Sequence, residues 1–241
     1  MFIFWITNKN KYMTNSNIVF KKHHIILTIS IFFASLFLLI LSLVVTKNDW
    51  LNRLDNSVSN FFANNRIRIF DYFFVALSYF AGSKVIAIFC LILLALPNRK
   101  KIGIPVSIAT GASALTNLAL KLSVARPRPA GYFLTEPTLF YTMPSSFSFP
   151  SGHSQTAIVF FVMLFVCLKK LSRTSRSKTI FEYISISIFC FLICFARIYL
   201  AVHFLSDVLA GLSLGILILC LAKSFEQSMA IQKRKISFEY L

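Results

Sequence analysis

Six long apolar runs separated by short polar and basic segments set the pattern of this chain. The first, Ile25 to Thr46 (IILTISIFFASLFLLILSLVVT), carries no charge and exceeds the about 20 residues that cross a bilayer's hydrocarbon layer. It is too long for a signal-peptide core and no small-residue cleavage site follows, so it reads as an uncleaved anchor. The second run lies within Tyr79 to Pro97, with Lys84 near its outer end, and the third spans Ile102 to Leu120. The fourth opens at FPSGHSQTA and continues to Leu168; the fifth is Ile180 to Ala196, with Glu182 at its edge; the sixth is Phe204 to Ala222. Between the first two, DWLNRLDNSVSNFF sets Trp50, Leu51, Leu54, Val58, Phe61 and Phe62 near one helical face. That stripe fits either a helix lying in the membrane interface or an ordinary loop with some aromatics. The pattern therefore predicts an all-α, polytopic membrane protein of about six transmembrane helices plus a possible interfacial helix.

Composition agrees with lipid as the main solvent. Hydrophobic residues make up 57% of the 241 and charged residues only 14%, more apolar than an ordinary soluble domain. No repeat or linker interrupts the chain. The expected organisation is an N-terminal segment over 1–24, one membrane domain over 25–222 and a basic tail over 223–241. Five cysteines lie inside apolar runs without C-x-x-C spacing, as small buried hydrophobes do.

The net charge of +17 would point to nucleic acid if the basic residues formed one patch. They do not; they alternate between the two ends of the spans. Sixteen of the 25 lysines and arginines fall on the side of both termini and nine on the other. The richer side is expected to be cytoplasmic, which puts both termini in the cytoplasm of a bacterial-type inner membrane and the FPSGH stretch at the periplasmic face.

Part of the poorer side is chemically distinctive. Lys121 ends the third span, and six residues later come Arg128 and Pro129. The fourth span opens with Pro150, Ser151, Gly152 and His153. After the fifth come Arg197, five residues, His203, three residues and Asp207. A lone cation at a span end is ordinarily a snorkelling anchor; three cations, two imidazoles and a carboxylate on one side are not. Such a set suits phosphate chemistry, in which fixed positive charge stabilises the equatorial oxygens of a transferring phosphoryl group. Lys121, Arg128 and Arg197 are the candidate phosphate ligands, helped by Ser151 and Gly152 at a helix start. His203 and Asp207 stand four apart, as neighbours on a helix face would. There the carboxylate can fix the imidazole's tautomer and leave its other nitrogen free to attack. His153 is the candidate general acid for the leaving oxygen. No third or fourth ligand of convincing spacing accompanies the two histidines, so neither a metal nor a cofactor is expected.

These stretches resemble the tripartite signature of the type-2 phosphatidic acid phosphatase superfamily, which also includes vanadium haloperoxidases. The pattern is K-x6-R-P, P-S-G-H and S-R-x5-H-x3-D, met here by Lys121, Arg128 and Pro129, by Pro150 to His153, and by Arg197, His203 and Asp207. Ala196 stands where the pattern commonly has serine, which removes a hydroxyl contact to phosphate but no charged role. Arg126-Pro127 precedes Arg128-Pro129, and Arg126 is either a second headgroup contact or a surface cation. The resemblance covers roughly residues 25 to 222. It implies a helical core, a phosphohistidine intermediate on His203 and no metal.

The expected function is hydrolysis of a lipid phosphomonoester or pyrophosphate at the periplasmic face. The substrates that this resemblance admits are undecaprenyl pyrophosphate, phosphatidylglycerol phosphate, phosphatidic acid and lipid A phosphate, with the aromatic loop Ala130 to Phe149 helping to choose. Two alternatives use the same residues: phosphoryl transfer to a second lipid, and a non-catalytic lipid transporter or binding protein. The second makes no use of His153, His203 and Asp207.

Overall fold

The computed structural model describes residues 16–129, 145–172 and 175–239, which form helices and short connections without a strand. The segment before residue 16, residues 130–144 of the aromatic loop, and the last two residues of the tail lie outside the described residues. In chain order the helices are α1 (Ser16–Val45), α2 (Asp49–Asn64), α3 (Arg68–Phe80), α4 (Ser83–Ala95) and α5 (Gly103–Val124). Then α6 (Gly152–Thr156) passes through a π-helical turn, Ala157–Val162, into α7 (Met163–Leu171), followed by α8 (Arg176–Tyr199) and α9 (Leu205–Glu239).

Five stretches are long and apolar enough to cross a membrane: His24–Val45, Gly103–Val124, Gly152–Leu171, Ser177–Tyr199 and Leu205–Met229. The sixth crossing is the pair α3 and α4, bent by 42° at its break. Its two ends lie at opposite ends of the bundle. At the start of α3, the Ile67 N–H donates to the Tyr199 hydroxyl at the end of α8 (2.9 Å). At the end of α4, Leu93 and Leu94 back onto Gly103 at the start of α5, so closely that a Cβ there would stand 2.3 Å from the Leu93 carbonyl oxygen. The span expected within Tyr79 to Pro97 thus begins earlier, at Arg68, and Lys84 sits at its bend, not its outer end. Asp71 hides the first half from a search for uncharged runs, because its charge is paired with Arg66 at 3.0 Å.

The other boundaries follow the apolar runs closely. Large residues such as Ile108, Leu115, Phe181 and Phe191 project outward, as lipid solvation allows. Because lipid gives helices no hydrophobic reason to associate, close packing and buried polar contacts must hold the bundle. Phe37, Ile40 and Val44 of α1 pack with Ala210 and Leu214 of α9 around Phe149. Phe74 of α3 packs with Ala196 and Tyr199 of α8 and with Leu200 just beyond it. Asn117 of α5 donates to the Gln155 side chain (2.9 Å) and to the Pro150 carbonyl (3.2 Å), and Gln155 donates to the Ser113 carbonyl (2.9 Å). At the end of the bundle away from Lys121, Lys169 pairs with Glu182 (2.5 Å) and Lys170 with Glu226 (2.6 Å). No helix break separates the last span from the basic tail, since α9 continues to Glu239.

The apolar stripe between the first two spans is a helix, but it does not present one uniform apolar face. Leu51, Asp55 and Ser59 of α2 are buried, and Phe62 packs against Phe195 and Tyr199. Trp50, Leu54 and Phe61 point outward, Trp50 being 62% exposed. Burial of Asp55, at 1% exposure, needs a partner, and its partner lies in the candidate site.

Candidate active site

The fold brings all three motif stretches to one end of the bundle. Helix α5 ends at Val124 because Ala125 takes left-handed backbone (φ 48°) and two prolines follow. A residue before proline is pushed from helical into extended backbone, where side chains two apart share a side. Arg126 and Arg128 meet that description and reach the same His–Asp pair. Arg128 Nη1 approaches His203 Nε2 at 3.2 Å and donates to the Val202 carbonyl at 2.7 Å. Its Nε and Nη2 donate to the Ser146 carbonyl (2.9 Å) and hydroxyl (3.1 Å). Lys121 Nζ donates to the Phe147 carbonyl.

His203 does not share a helix with Asp207, as its spacing led us to expect. Helix α8 ends in a turn with Ala201 at φ 51°, and the N–H groups of Val202 and His203 both donate to the Arg197 carbonyl (3.3 Å each). His203 therefore sits in the turn, while Asp207 sits in the first turn of α9. Asp207 Oδ2 accepts from the Phe204 N–H at 3.0 Å, a carboxylate reaching back to cap its own helix. The imidazole is oriented by three groups. A guanidinium can only donate, so Nε2 facing Arg128 is the accepting nitrogen, and Nδ1 carries the proton. Nδ1 faces the Ser148 hydroxyl (3.3 Å) and Asp207 Oδ2 (3.5 Å), and Ser148 also donates to that same oxygen. Burial, then Arg128, Arg197 and Lys121, hold the His203 imidazole well below its ordinary titration range. The neutral ring with an unprotonated Nε2 is the form a nucleophile requires.

Arg197 is 1% exposed. His153, at the start of the fourth span, hydrogen-bonds to the Ser78 backbone and lies within electrostatic reach of Arg197, His203 and Arg128. Ser151 is buried; its N–H donates to the Asp207 carbonyl (3.0 Å) and its hydroxyl caps α6 through Ser154. Gly152 follows it, against the Asn117 side chain. Ala196 packs in the aromatic cluster of α3 and α8, which puts the missing serine hydroxyl of the family pattern in an apolar setting.

Arg126 is neither a surface cation nor turned toward a headgroup. Its side chain, 10% exposed, pairs with Asp207 at 2.7 Å and with Asp55 at 2.8 Å, and its guanidinium lies 4.2 Å from the centre of the Phe204 ring. Sequence reasoning passed over Asp55 and Ser148. For Asp55 a signal existed: it is the acidic member of the Leu51–Asp55–Ser59 face of α2. For Ser148, one serine among several in PSSFSF, there was none.

Helix α9 comes against α6 through Gly211, where a Cβ would stand 2.5 Å from the Ser151 carbonyl oxygen. Backbone cannot swing aside as a side chain can. Gly211→Ala is expected to separate the two motif-bearing helices and to cost about 1–3 kcal/mol, the usual range for overpacking. An unfolding midpoint in detergent and a phosphate-release rate both equal to wild type would show that the close approach is dispensable.

Fold and site together define a polytopic helical membrane protein in which one end of the bundle holds a histidine–aspartate pair ringed by fixed cations. Residues 102–228 match the PAP2 superfamily, and the chain belongs to that family. Phosphatidylglycerophosphatase B of Bacillus subtilis (strain 168) is 36% identical over 134 residues, 55% of this chain and 62% of that protein. The chain thus aligns with less than two thirds of that relative's length. Among solved structures, the transmembrane PAP2-type phosphatidylglycerolphosphate phosphatase from Bacillus subtilis superposes with TM-score 0.67 at 29% identity, covering 81% of this chain and 96% of that one. Aquifex aeolicus LpxE superposes with TM-score 0.53 at 25% identity, covering 70% and 94%.

Proposed function

We propose that this protein is a membrane lipid phosphatase that hydrolyses a phosphomonoester or pyrophosphate lipid through a phosphohistidine on His203, at the periplasmic face of a bacterial inner membrane. The observation that carries the reading is the His203 ring itself: Nε2 accepting beside Arg128, Nδ1 turned to Ser148 and Asp207. Nε2 attacks phosphorus, and the P–O bond to the lipid breaks as His153 gives its proton to the departing oxygen. Water then attacks the phosphohistidine with His153 as base, releasing inorganic phosphate and restoring the neutral ring. Lys121, Arg128 and Arg197, together with Ser151 and Gly152 at the start of α6, hold the phosphoryl oxygens. Among the four lipid classes admitted by the motif, phosphatidylglycerol phosphate is favoured, because the Bacillus subtilis match, in sequence and in solved structure, carries that activity in its name. The charge asymmetry supports the orientation, with both termini in the cytoplasm.

Phosphate release by the purified protein in detergent, measured on a panel of the four lipids, tests this directly. Phosphatidylglycerol phosphate is expected to turn over fastest, vanadate to inhibit as a five-coordinate mimic, and EDTA to leave the rate unchanged. No release from any of the four would overturn the phosphatase reading; loss in EDTA, restored by a divalent ion, would overturn its metal-independent form. A reporter fused after Leu241 is expected to read as cytoplasmic, and a periplasmic signal would invert the orientation.

A further inference from the structure

Asp55 belongs to α2, well outside the family match over residues 102–228, yet it is tied to the first turn of α9. Its Oδ1 accepts from the Ser206 N–H (3.0 Å) and its Oδ2 from the Ser206 hydroxyl (2.5 Å). It therefore caps, from another helix, the turn that carries Asp207. Between the two carboxylates lies Arg126, one terminal nitrogen on each: Nη2 on Asp55 Oδ2 and Nη1 on Asp207 Oδ1. Nη1 also donates to the Ser206 hydroxyl at 2.7 Å. Asp207 thus meets Arg126 with Oδ1 and leaves Oδ2 for Ser148, the Phe204 N–H and the His203 ring.

We propose that Arg126 and Asp55 are positioning residues for the nucleophile: Asp55 holds the Arg126 guanidinium, which in turn fixes the rotation and charge of Asp207 and so the tautomer of His203. This rests on the reading of His203 as the nucleophile. A buried carboxylate with no cation beside it tends to take up a proton, and a protonated Asp207 would no longer favour the Nδ1–H ring. A cation held by Asp207 alone would draw the carboxylate's charge away from the imidazole. Asp55 shares the cation and offsets that pull. Planar, two-handed arginine can bridge two carboxylates in this way; lysine, a point charge, cannot.

Three full-length variants in detergent micelles test the proposal: Arg126→Gln, Asp55→Asn and the two combined. The rate readout is phosphate release from phosphatidylglycerol phosphate. Arg126→Gln is expected to lower kcat about a hundredfold with KM within about twofold of wild type, less than the ~10⁴-fold that loss of an orienting aspartate costs a serine triad. Asp55→Asn is expected to lower it about tenfold, and the pair no further than Arg126→Gln alone, because an amide oxygen at this position can still accept from the Ser206 N–H and the rest of Asp55's effect passes through Arg126. Removing the cation and anion together also restores charge balance, so the pair should fold where Arg126→Gln alone is destabilised. A pair that folds and recovers wild-type kcat would make the network purely structural and overturn the proposal. So would a rise in KM with kcat unchanged, the mark of a headgroup contact.

A second readout does not depend on turnover. In histidine-¹⁵N-labelled protein, with His203 assigned through His203→Gln, wild type is expected to carry its proton on Nδ1. Charged or titratable groups around the ring are Asp207, Arg128, Arg197, Lys121 and His153. Loss of Arg126 is expected to mix the tautomers, whereas Arg126→Lys, retaining the charge, should restore part of the Nδ1–H form. An unchanged tautomer in Arg126→Gln overturns the proposal even if wild type releases no phosphate from any lipid, a result that would instead count against the phosphatase reading.

Discussion

His203→Gln is expected to abolish turnover, by about 10⁴-fold or more, since loss of a nucleophile in comparable covalent enzymes leaves only the contribution of binding and electrostatics. Glutamine keeps roughly the ring's reach and polarity but has no nitrogen lone pair to offer phosphorus. Wild-type protein quenched during turnover of ³²P-labelled phosphatidylglycerol phosphate should yield an acid-labile, base-stable phosphoprotein, absent from His203→Gln. Label on His153 instead would reverse the two roles. The pH dependence gives an independent check. Burial, Arg128, Arg197 and Lys121 all lower the His203 pKa, so the neutral, attacking form persists to lower pH than in a free imidazole. The acid limb of kcat/KM, which reports the free enzyme, should accordingly lie below the ordinary histidine value of about 6.5. Arg128→Gln removes the positive charge beside Nε2 and should move that limb upward while weakening phosphate binding. A limb at or above the ordinary value in wild type would mean that the site does not hold His203 neutral.

How much of this was written in the sequence depends on the range of the forces involved. Five of the six crossings are legible because a bilayer imposes a length and an apolar threshold on each helix separately. The sixth is legible only in its second half. Its first half carries Asp71, and the pairing of Asp71 with Arg66 is a tertiary fact that no hydropathy window contains. The site shows the same division. Lys121, Arg128, His153, Arg197, His203 and Asp207 are found by spacing, since each motif lies within one short stretch. Their mutual arrangement is not. The i, i+4 spacing of His203 and Asp207 suggested one helix, whereas the turn at Ala201 puts the histidine ahead of α9 and the carboxylate at its cap. Arg126 was read as surface or headgroup because its two partners come from far away in sequence, Asp55 and Asp207. The apolar stripe of α2 likewise concealed the buried acid it carries.

His153→Ala should separate substrates by their leaving groups. Alkoxide departure from a lipid phosphomonoester needs protonation, and general acid catalysis is typically worth about 10²–10⁴-fold. In the proposed mechanism, attack by His203 does not need His153, because the ring is oriented by Ser148, Asp207 and Arg128. Turnover of phosphatidylglycerol phosphate is therefore expected to fall by about that factor. With para-nitrophenyl phosphate, whose phenolate leaves without help, formation of the phosphohistidine should be nearly as fast as in wild type. On the same proposal, hydrolysis of the intermediate still calls on His153 to activate water, so the second step is expected to become limiting. The predicted signature is a burst of nitrophenolate equal to the concentration of sites, followed by slow turnover, with phosphorylated His203 accumulating in His153→Ala. Equal losses on both substrates without a burst would exclude His153 as the proton donor and leave it a phosphate-binding or structural residue, held to the backbone of Ser78.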